Sequence, residues 1–294
     1  MGVKSAVNFG LPHAAGFLFP GGVPGVLLLL LAPSLSISST PSPVAVTPAS
    51  VVQGSYAVVT ADVPGESGRI EVMDLSYPMY RVGGIWRGLV PVALSVGPGK
   101  KRLVVKADGR TFSAELRVER RPGEKTQKLT KLTVDDKRAM NLKEDKVEIR
   151  SVLRRTGKDA MWTGPMRNPI MGRISAVFGQ KRVYGGGATW FHSGVDFAMP
   201  KGWPIVAVAP GRVSIAGMMA SYGNTVVLDH GQTVHTVYMH MSKLLVKEGE
   251  RVNQGQIIGL VGETGMALGP HLHFSSYIST VPVDPLEFLT RGLP

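Results

Sequence analysis

The sequence predicts a mainly β protein, built from two β units with a helix between them. Two observations carry that prediction. Glycine and proline are abundant, 36 and 21 of 294 residues, and they separate short apolar stretches of strand length. Those stretches lie on both sides of one highly charged segment, and that segment has the length and spacing of a helix. A chain of this length can form two compact domains, each with its own core.

At the amino terminus, Gly25 to Ile37 is an apolar run of signal-peptide length, shorter than the roughly 20 residues needed to cross a bilayer. Ser36 and Ser38 have the small-residue spacing for cleavage after Ser38. Lys4 is the only Lys or Arg ahead of the run and stands far from it, so an uncleaved anchor and a start set too far upstream compete with a cleaved leader. Residues 1–39 are read as a signal peptide or membrane anchor, and the chain as exported to the periplasm or cell envelope. Cysteine is absent, which excludes disulfides and thiolate metal ligands and leaves the compartment open.

From Val44 the chain runs through short period-two stretches: Tyr56 to Thr60, Gly68 to Met73, Leu89 to Val96, Leu103 to Ala107 and Phe112 to Val118. Val63-Pro-Gly, Val96-Gly-Pro-Gly and Ala107-Asp-Gly punctuate them as turns. Strands so spaced predict an immunoglobulin-like β-sandwich over residues 44–120. It shows no chemistry and reads as a spacer or targeting unit. Asp135 to Arg155 then reads as a helix with Asp135 as N-cap and Gly157 closing it, within a helical connector over 130–158. Ala139, Leu142, Ile149, Val152 and Leu153 offer one apolar face for docking on a neighbouring domain.

The formal net charge of +12 is concentrated here, since residues 98–158 carry 19 Lys/Arg against 9 Asp/Glu. Such a segment suits an anionic wall polymer or membrane surface, or simply a solvated face. No finger, helix-turn-helix or aromatic-interleaved basic strand accompanies it, so nucleic acid is not an expected partner.

Pro165 and Pro169 push the following chain into extended structure, and a second all-β domain is expected over 165–290. Pro204 to Ile215, Asn224 to Asp229, Val234 to Met239 and Gln256 to Val261 read as strands, with glycines at Gly211, Gly223, Gly231, Gly255 and Gly262. Six of the seven histidines lie between positions 192 and 273. His271 and His273 share a face if their segment is a strand, and His192 and Asp196 lie four apart across a turn at Gly194. Nitrogen and oxygen donors of this kind suit zinc, whose catalytic sites take three protein ligands and keep one position open. Four histidines and one aspartate exceed that need by two. No H-E-x-x-H helix supplies a glutamate base and Asp196 is the only acid in the histidine motifs, so if Asp196 is a ligand, proton transfer and oxyanion binding fall to imidazoles, with two histidines left over for them.

Phe191-His192-Ser-Gly194-Val-Asp196, Pro204 to Val213, Gly223-Asn224 to Gly231, Tyr238-Met-His240 and Gly269-Pro-His271-Leu-His273-Phe274 together resemble the lysostaphin-type, or LytM-like, zinc metalloendopeptidases. The resemblance covers about Pro165 to Leu289. It implies a LytM-like antiparallel β peptidase domain, one Zn2+ per chain held by His192, Asp196 and His273, and His240 and His271 as the catalytic histidines. It further implies hydrolysis of peptide bonds in peptidoglycan stem peptides or cross-links. One departure is visible: the glutamate that commonly follows the last motif phenylalanine is Ser275 here, which bears on packing or on a contact behind a ligand.

Two other classes compete: a non-hydrolytic LytM-like regulator of a cell-wall amidase or divisome partner, which predicts a weakened ligand set, and a module that only binds stem peptides. Taken singly, each of the five residues is an ordinary surface, turn or strand residue, and only their joint order argues for a site. His230 reads as a turn residue, His235 as a strand-surface residue and Asp284 as a turn former.

Overall fold

The computed structural model describes residues 42–123 and 126–293, so the leader expected over 1–39 lies outside the described residues. Among the described residues no helix is long and apolar enough to cross a membrane.

Two sheets fold around one core in the amino-terminal part. One orders the strands Val44–Thr47, Tyr56–Ala61, Ile85–Pro91 and Tyr80–Val82; the other orders Ser50–Val52, Arg110–Glu119, Gly99–Ala107, Gly68–Val72 and Leu75–Pro78. Alternate residues from both, among them Val59, Val90, Ile70, Leu103 and Leu116, are buried together. The expected strand over Leu89 to Val96 begins earlier, at Ile85, and ends at Pro91. Trp86 reaches the core at the early end, and Val92 leaves the ladder to bond with the Gly54–Ser55 turn.

The helix spans Asp136–Leu153, and the Asp135 carboxylate accepts the Arg138 N–H as its N-cap. It ends at Arg154 in the right-handed region, so Gly157 does not close it. Ile149 and Leu153 are buried against Ile215, Met219, Val227, Val237 and Met239, whereas Ala139 is exposed. Each of these two buried side chains contributes about 1.5–3 kcal/mol. Ahead of the helix, Gln127–Thr133 forms a strand that pairs in parallel with Lys181–Gly185. Its lysines and threonines hide it from a reading of periodicity, because its partner lies some fifty positions away.

An eight-stranded sheet dominates the remainder, with the order Arg173–Ala176, Val195–Ala198, His271–Ile278, Val234–Met241, Gly223–Asp229, Gly211–Met219, Arg251–Val252, and Val281–Val283 paired to the His271 strand. Both faces are covered. One presents Tyr238, Leu228, Val226, Phe274 and Leu272 to a core that also holds Tyr56 and Leu89 of the amino-terminal sheets. The other receives the helix. Met239 pairs with His273 and Val237 with Ser275, so the helix and the histidine pair occupy the same face.

Candidate metal centre

Strand register brings the expected residues together. Asp196 sits directly opposite His273 on neighbouring strands, and Ala198 opposite His271. His271, His273 and Ser275 alternate onto one face of their strand. His192 arrives from the loop before Gly194. That glycine is needed for close approach: a Cβ there would stand 2.4 Å from the Phe274 carbonyl oxygen and 2.7 Å from His273 Nε2. His240 is placed by a bulge in which Met239 and His240 together oppose Thr225 of the adjacent strand. Its φ of 63° lies in the left-handed region, a strained state for a non-glycine residue.

Three donor atoms converge. His192 Nε2 lies 3.0 Å from Asp196 Oδ1 and 2.9 Å from His273 Nδ1, and His273 Nδ1 lies 2.8 Å from the same Oδ1. All three residues are buried. Their outer atoms orient them. His192 Nδ1 donates to the Val177 carbonyl at 2.9 Å, and His273 Nε2 donates to Ser275 Oγ at 2.8 Å. With those protons so used, both inner nitrogens turn lone pairs toward one point that the carboxylate also faces, and only a cation relieves three lone pairs so placed. The residues therefore fit a divalent metal.

Electrostatics agrees. Burial pushes His273 down to about 4, against a partial upward pull from Asp196. Burial raises the Asp196 carboxyl, but the combined effect of His192 and His273 outweighs it and holds Asp196 well below the usual carboxylate range. Neutral imidazole and ionised carboxylate are the forms that ligate. Arg182 of Lys181–Gly185 also pairs with Asp196 Oδ2 and is steadied by Gln127 Oε1 at 2.8 Å.

His240 and His271 stand beside this cluster with ring centroids 4.8 Å apart, and His240 is 6.2 Å from His273. His240 Nδ1 donates to the Thr264 carbonyl and His271 Nδ1 to the Gly269 carbonyl, each at 2.8 Å. Both Nε2 atoms are left as acceptors. Burial, reinforced by the neighbouring imidazoles of His271 and His273, pushes His240 down to about 3.

A cavity of about 160 Å³ opens on the cluster, between His192, His240 and His273 on one side and Leu132, Tyr184 and Trp190 on the other. Leu142 and Lys146 of the helix complete its wall, with the Lys146 ammonium 5.7 Å from the Trp190 ring centre. A second opening at His271 shares Leu132, Arg182, Tyr184, His240 and Met266 with the first, so Leu132 of the Gln127–Thr133 strand borders both.

Sequence reading missed Arg182, Leu132 and Trp190, which carry no motif: Arg182 and Trp190 reach the site on the Lys181–Gly185 and Thr189–Phe191 hairpin, and Leu132 on the Gln127–Thr133 strand paired to it. Ser275 was visible only as a departure and proves to be the partner that orients His273. His230 and His235 stand apart from the cluster, and neither is superficial. His230 is fully buried, Nδ1 donating to the Pro210 carbonyl at 2.7 Å and Nε2 2.8 Å from Thr236 Oγ1. His235 is not a strand-surface residue: the segment after the helix covers it, and its Nε2 donates to the Arg155 carbonyl. Asp284 caps the helix Pro285–Arg291 and pairs with Arg121.

Known proteins resemble this chain. The model of peptidase family M23 matches residues 190–285. The DD-carboxypeptidase/endopeptidase Mpg of Neisseria meningitidis is 42% identical over 116 residues, covering 39% of this chain and 26% of that protein. The peptidoglycan DD-endopeptidase ShyA of Vibrio cholerae is 45% identical over 96 residues, covering 33% of this chain and 22% of that protein. The chain thus spans about a quarter of the length of these curated relatives. A crystal structure of a candidate M23 peptidase from Pseudomonas aeruginosa is 30% identical with a TM-score of 0.65, and the likeness covers 81% of this chain and 94% of that one. The family's segment contains all five histidine and aspartate positions, and the likeness to the Pseudomonas protein extends well beyond it: the chain belongs to peptidase family M23.

Proposed function

We propose that the chain is a zinc-dependent endopeptidase that hydrolyses peptide bonds in peptidoglycan stem peptides or cross-links. The observation that carries this reading is the buried convergence of His192 Nε2, Asp196 Oδ1 and His273 Nδ1, with two further imidazoles turning free Nε2 atoms into the same groove. His192, Asp196 and His273 hold one zinc per chain, and the ion supplies Lewis-acid polarisation of the scissile carbonyl and a water acidified toward neutral pKa. His240 and His271 divide the remaining work. One accepts the proton of the attacking water at Nε2 and returns it to the leaving amine, and the other accepts a hydrogen bond from the same water at its own Nε2 and so orients it for attack. Their Nδ1 protons are held by backbone carbonyls, so each ring enters the reaction with its orientation already set. A regulator without hydrolysis would be expected to break this donor set, and here it is complete.

The peptidoglycan substrate is carried over from the Vibrio relative, a peptidoglycan DD-endopeptidase, and a place in the periplasm or cell envelope follows from such a substrate. On this reading residues 44–120 form an immunoglobulin-like sandwich domain, 130–158 a connector and 165–290 the peptidase domain. The basic stretch over 98–158 meets anionic wall polymer or membrane surface through exposed charge, an attraction that fades over a Debye length of about 8 Å at physiological salt.

The test is digestion of defined peptidoglycans and cross-linked peptides by the purified chain, with products identified by mass. About one zinc per chain, cleavage lost on chelation and cleavage restored by zinc are the expected results. A zinc-loaded chain that leaves every cross-link intact sinks the reading.

A further inference from the structure

We infer that Asp145 of the connecting helix is a positioning residue for His240, so that a segment upstream of the family's matched region forms part of the catalytic apparatus. Asp145 lies one turn before Ile149 and two before Leu153, on the stripe that packs against the sheet, where the pattern calls for an apolar side chain. It is instead a carboxylate only 5% exposed. Among the described residues it forms no ion pair with Lys or Arg. Its Oδ2 accepts two backbone hydrogen bonds, from Ser221 N–H at 2.7 Å and Tyr222 N–H at 3.3 Å. Those residues are the hairpin turn between Gly211–Met219 and Gly223–Asp229.

That turn is what holds His240. The His240 N–H donates to the Tyr222 carbonyl at 2.9 Å, the bond that anchors a residue whose backbone is in the left-handed region. On its other side, Met266 N–H donates to the Ser221 carbonyl at 2.7 Å, tying the turn to the loop whose Thr264 carbonyl accepts the His240 ring proton. A Cβ on Gly265 would stand 2.4 Å from Gly223 N, so turn and loop meet with no room to spare. Asp145 therefore closes a clamp: helix to turn, turn to both the backbone and the ring of His240. A carboxylate suits the position because one oxygen can accept two N–H groups that a hairpin turn leaves unpaired. Burial of an aspartate without a cationic partner costs stability, and the two turn amides are the return visible in the structure.

The inference rests on the proposed hydrolysis only through its turnover arm, and the experiment has a second arm that needs neither substrate nor metal. Full-length Asp145→Ala and Asp145→Asn are compared with wild type for zinc content, kcat and KM on a cross-linked peptide, and amide hydrogen exchange in the metal-free protein. In the alanine variant, exchange at Tyr222 and His240 is expected to rise at least tenfold. Its kcat should fall about 10- to 100-fold, with KM within about twofold and zinc retained, as expected when a catalytic group is misplaced and binding is not. The asparagine variant keeps the shape and an acceptor oxygen, so its exchange and kcat should return to within about threefold of wild type. A lower melting temperature with unchanged His240 exchange would mark Asp145 as a mere packing residue and overturn the inference. So would equal losses in the alanine and asparagine variants. If wild type cleaves no peptide, the proposed function fails, and the exchange arm still decides for or against Asp145.

Discussion

The five residues of the centre divide by which ring nitrogen is already occupied. His192 and His273 spend their outer N–H on Val177 and Ser275 and turn the other nitrogen to Asp196, whereas His240 and His271 spend Nδ1–H on carbonyls and turn Nε2 to the groove. From this division, His273→Ala is expected to lose most of the bound zinc. His240→Ala and His271→Ala should keep the metal and lose turnover by about 100-fold or more, with metal content and rate read on one sample. Loss of metal in either of the latter would make that histidine a ligand. His230 makes a separate prediction. Burial pushes it from 6.5 down to about 4. Between those values the unfolded chain holds the proton and the folded chain does not, so stability is full above the upper value and falls as pH drops toward the lower one. The total difference is on the order of 3 kcal/mol. Denaturant melts at pH 7.5 and pH 4.5 should show a smaller acid loss in His230→Gln than in wild type, at matched metal content. An equal loss would place the acid sensitivity elsewhere.

Strand pairing decides which of these residues can meet. The alternation that puts His271, His273 and Ser275 on one face is local and legible from sequence. The register that sets Asp196 opposite His273 is not, since it depends on how two strands some seventy-five positions apart align. Gly194 marks where the loop and the two strands approach most closely. Gly194→Ala is expected to push the His192 loop away from Phe274 and Ser275 and lower zinc affinity about 10- to 100-fold while the sheet persists, which competition with a chromogenic chelator measures. Wild-type affinity in that variant would mean the loop relaxes without cost. The Gln127–Thr133 strand teaches the same lesson at element scale. Two leucines among lysines and threonines carry no strong period, and only pairing with Lys181–Gly185 makes a strand of them and sets Leu132 at the border of the groove.

Across the whole molecule, the amino-terminal sheets and the family's segment are joined by shared burial. Tyr56 and Leu89 enter the core of Phe178, Phe274 and Phe288, and the Tyr56 hydroxyl donates to the Gly292 carbonyl at 2.6 Å. Arg121 pairs with Asp284 at the cap of the last helix. On the opposite sheet face the connecting helix covers Ile215, Val227, Val237 and Met239 beside the metal centre. Removing residues 1–160 takes both covers away. The shortened chain is expected to melt at least 5 °C lower than the full chain and to bind a hydrophobic dye, because the helix's two buried apolar side chains alone contribute about 1.5–3 kcal/mol each. A melting temperature equal to that of the full chain would show that the upstream part adds no stability to the sheet.

By itself the sequence determined the chemistry and the local geometry: a nitrogen and oxygen donor set without thiols, two histidines on one strand face, an aspartate at a helix start, and a turn at Gly194. These are readable because side-chain direction alternates, and helices begin, over a few residues of backbone whose geometry does not depend on distant partners. Tertiary structure alone decided that Asp196 faces His273, that carbonyls and Ser275 choose each ring's tautomer, and that burial keeps His240 and His273 neutral. It also brought Arg182 and Leu132 to the groove, and Asp145 to the turn that holds His240, from segments without a motif. Register, burial and tautomer are sums over contacts between residues far apart in the chain, and no short window of sequence contains them.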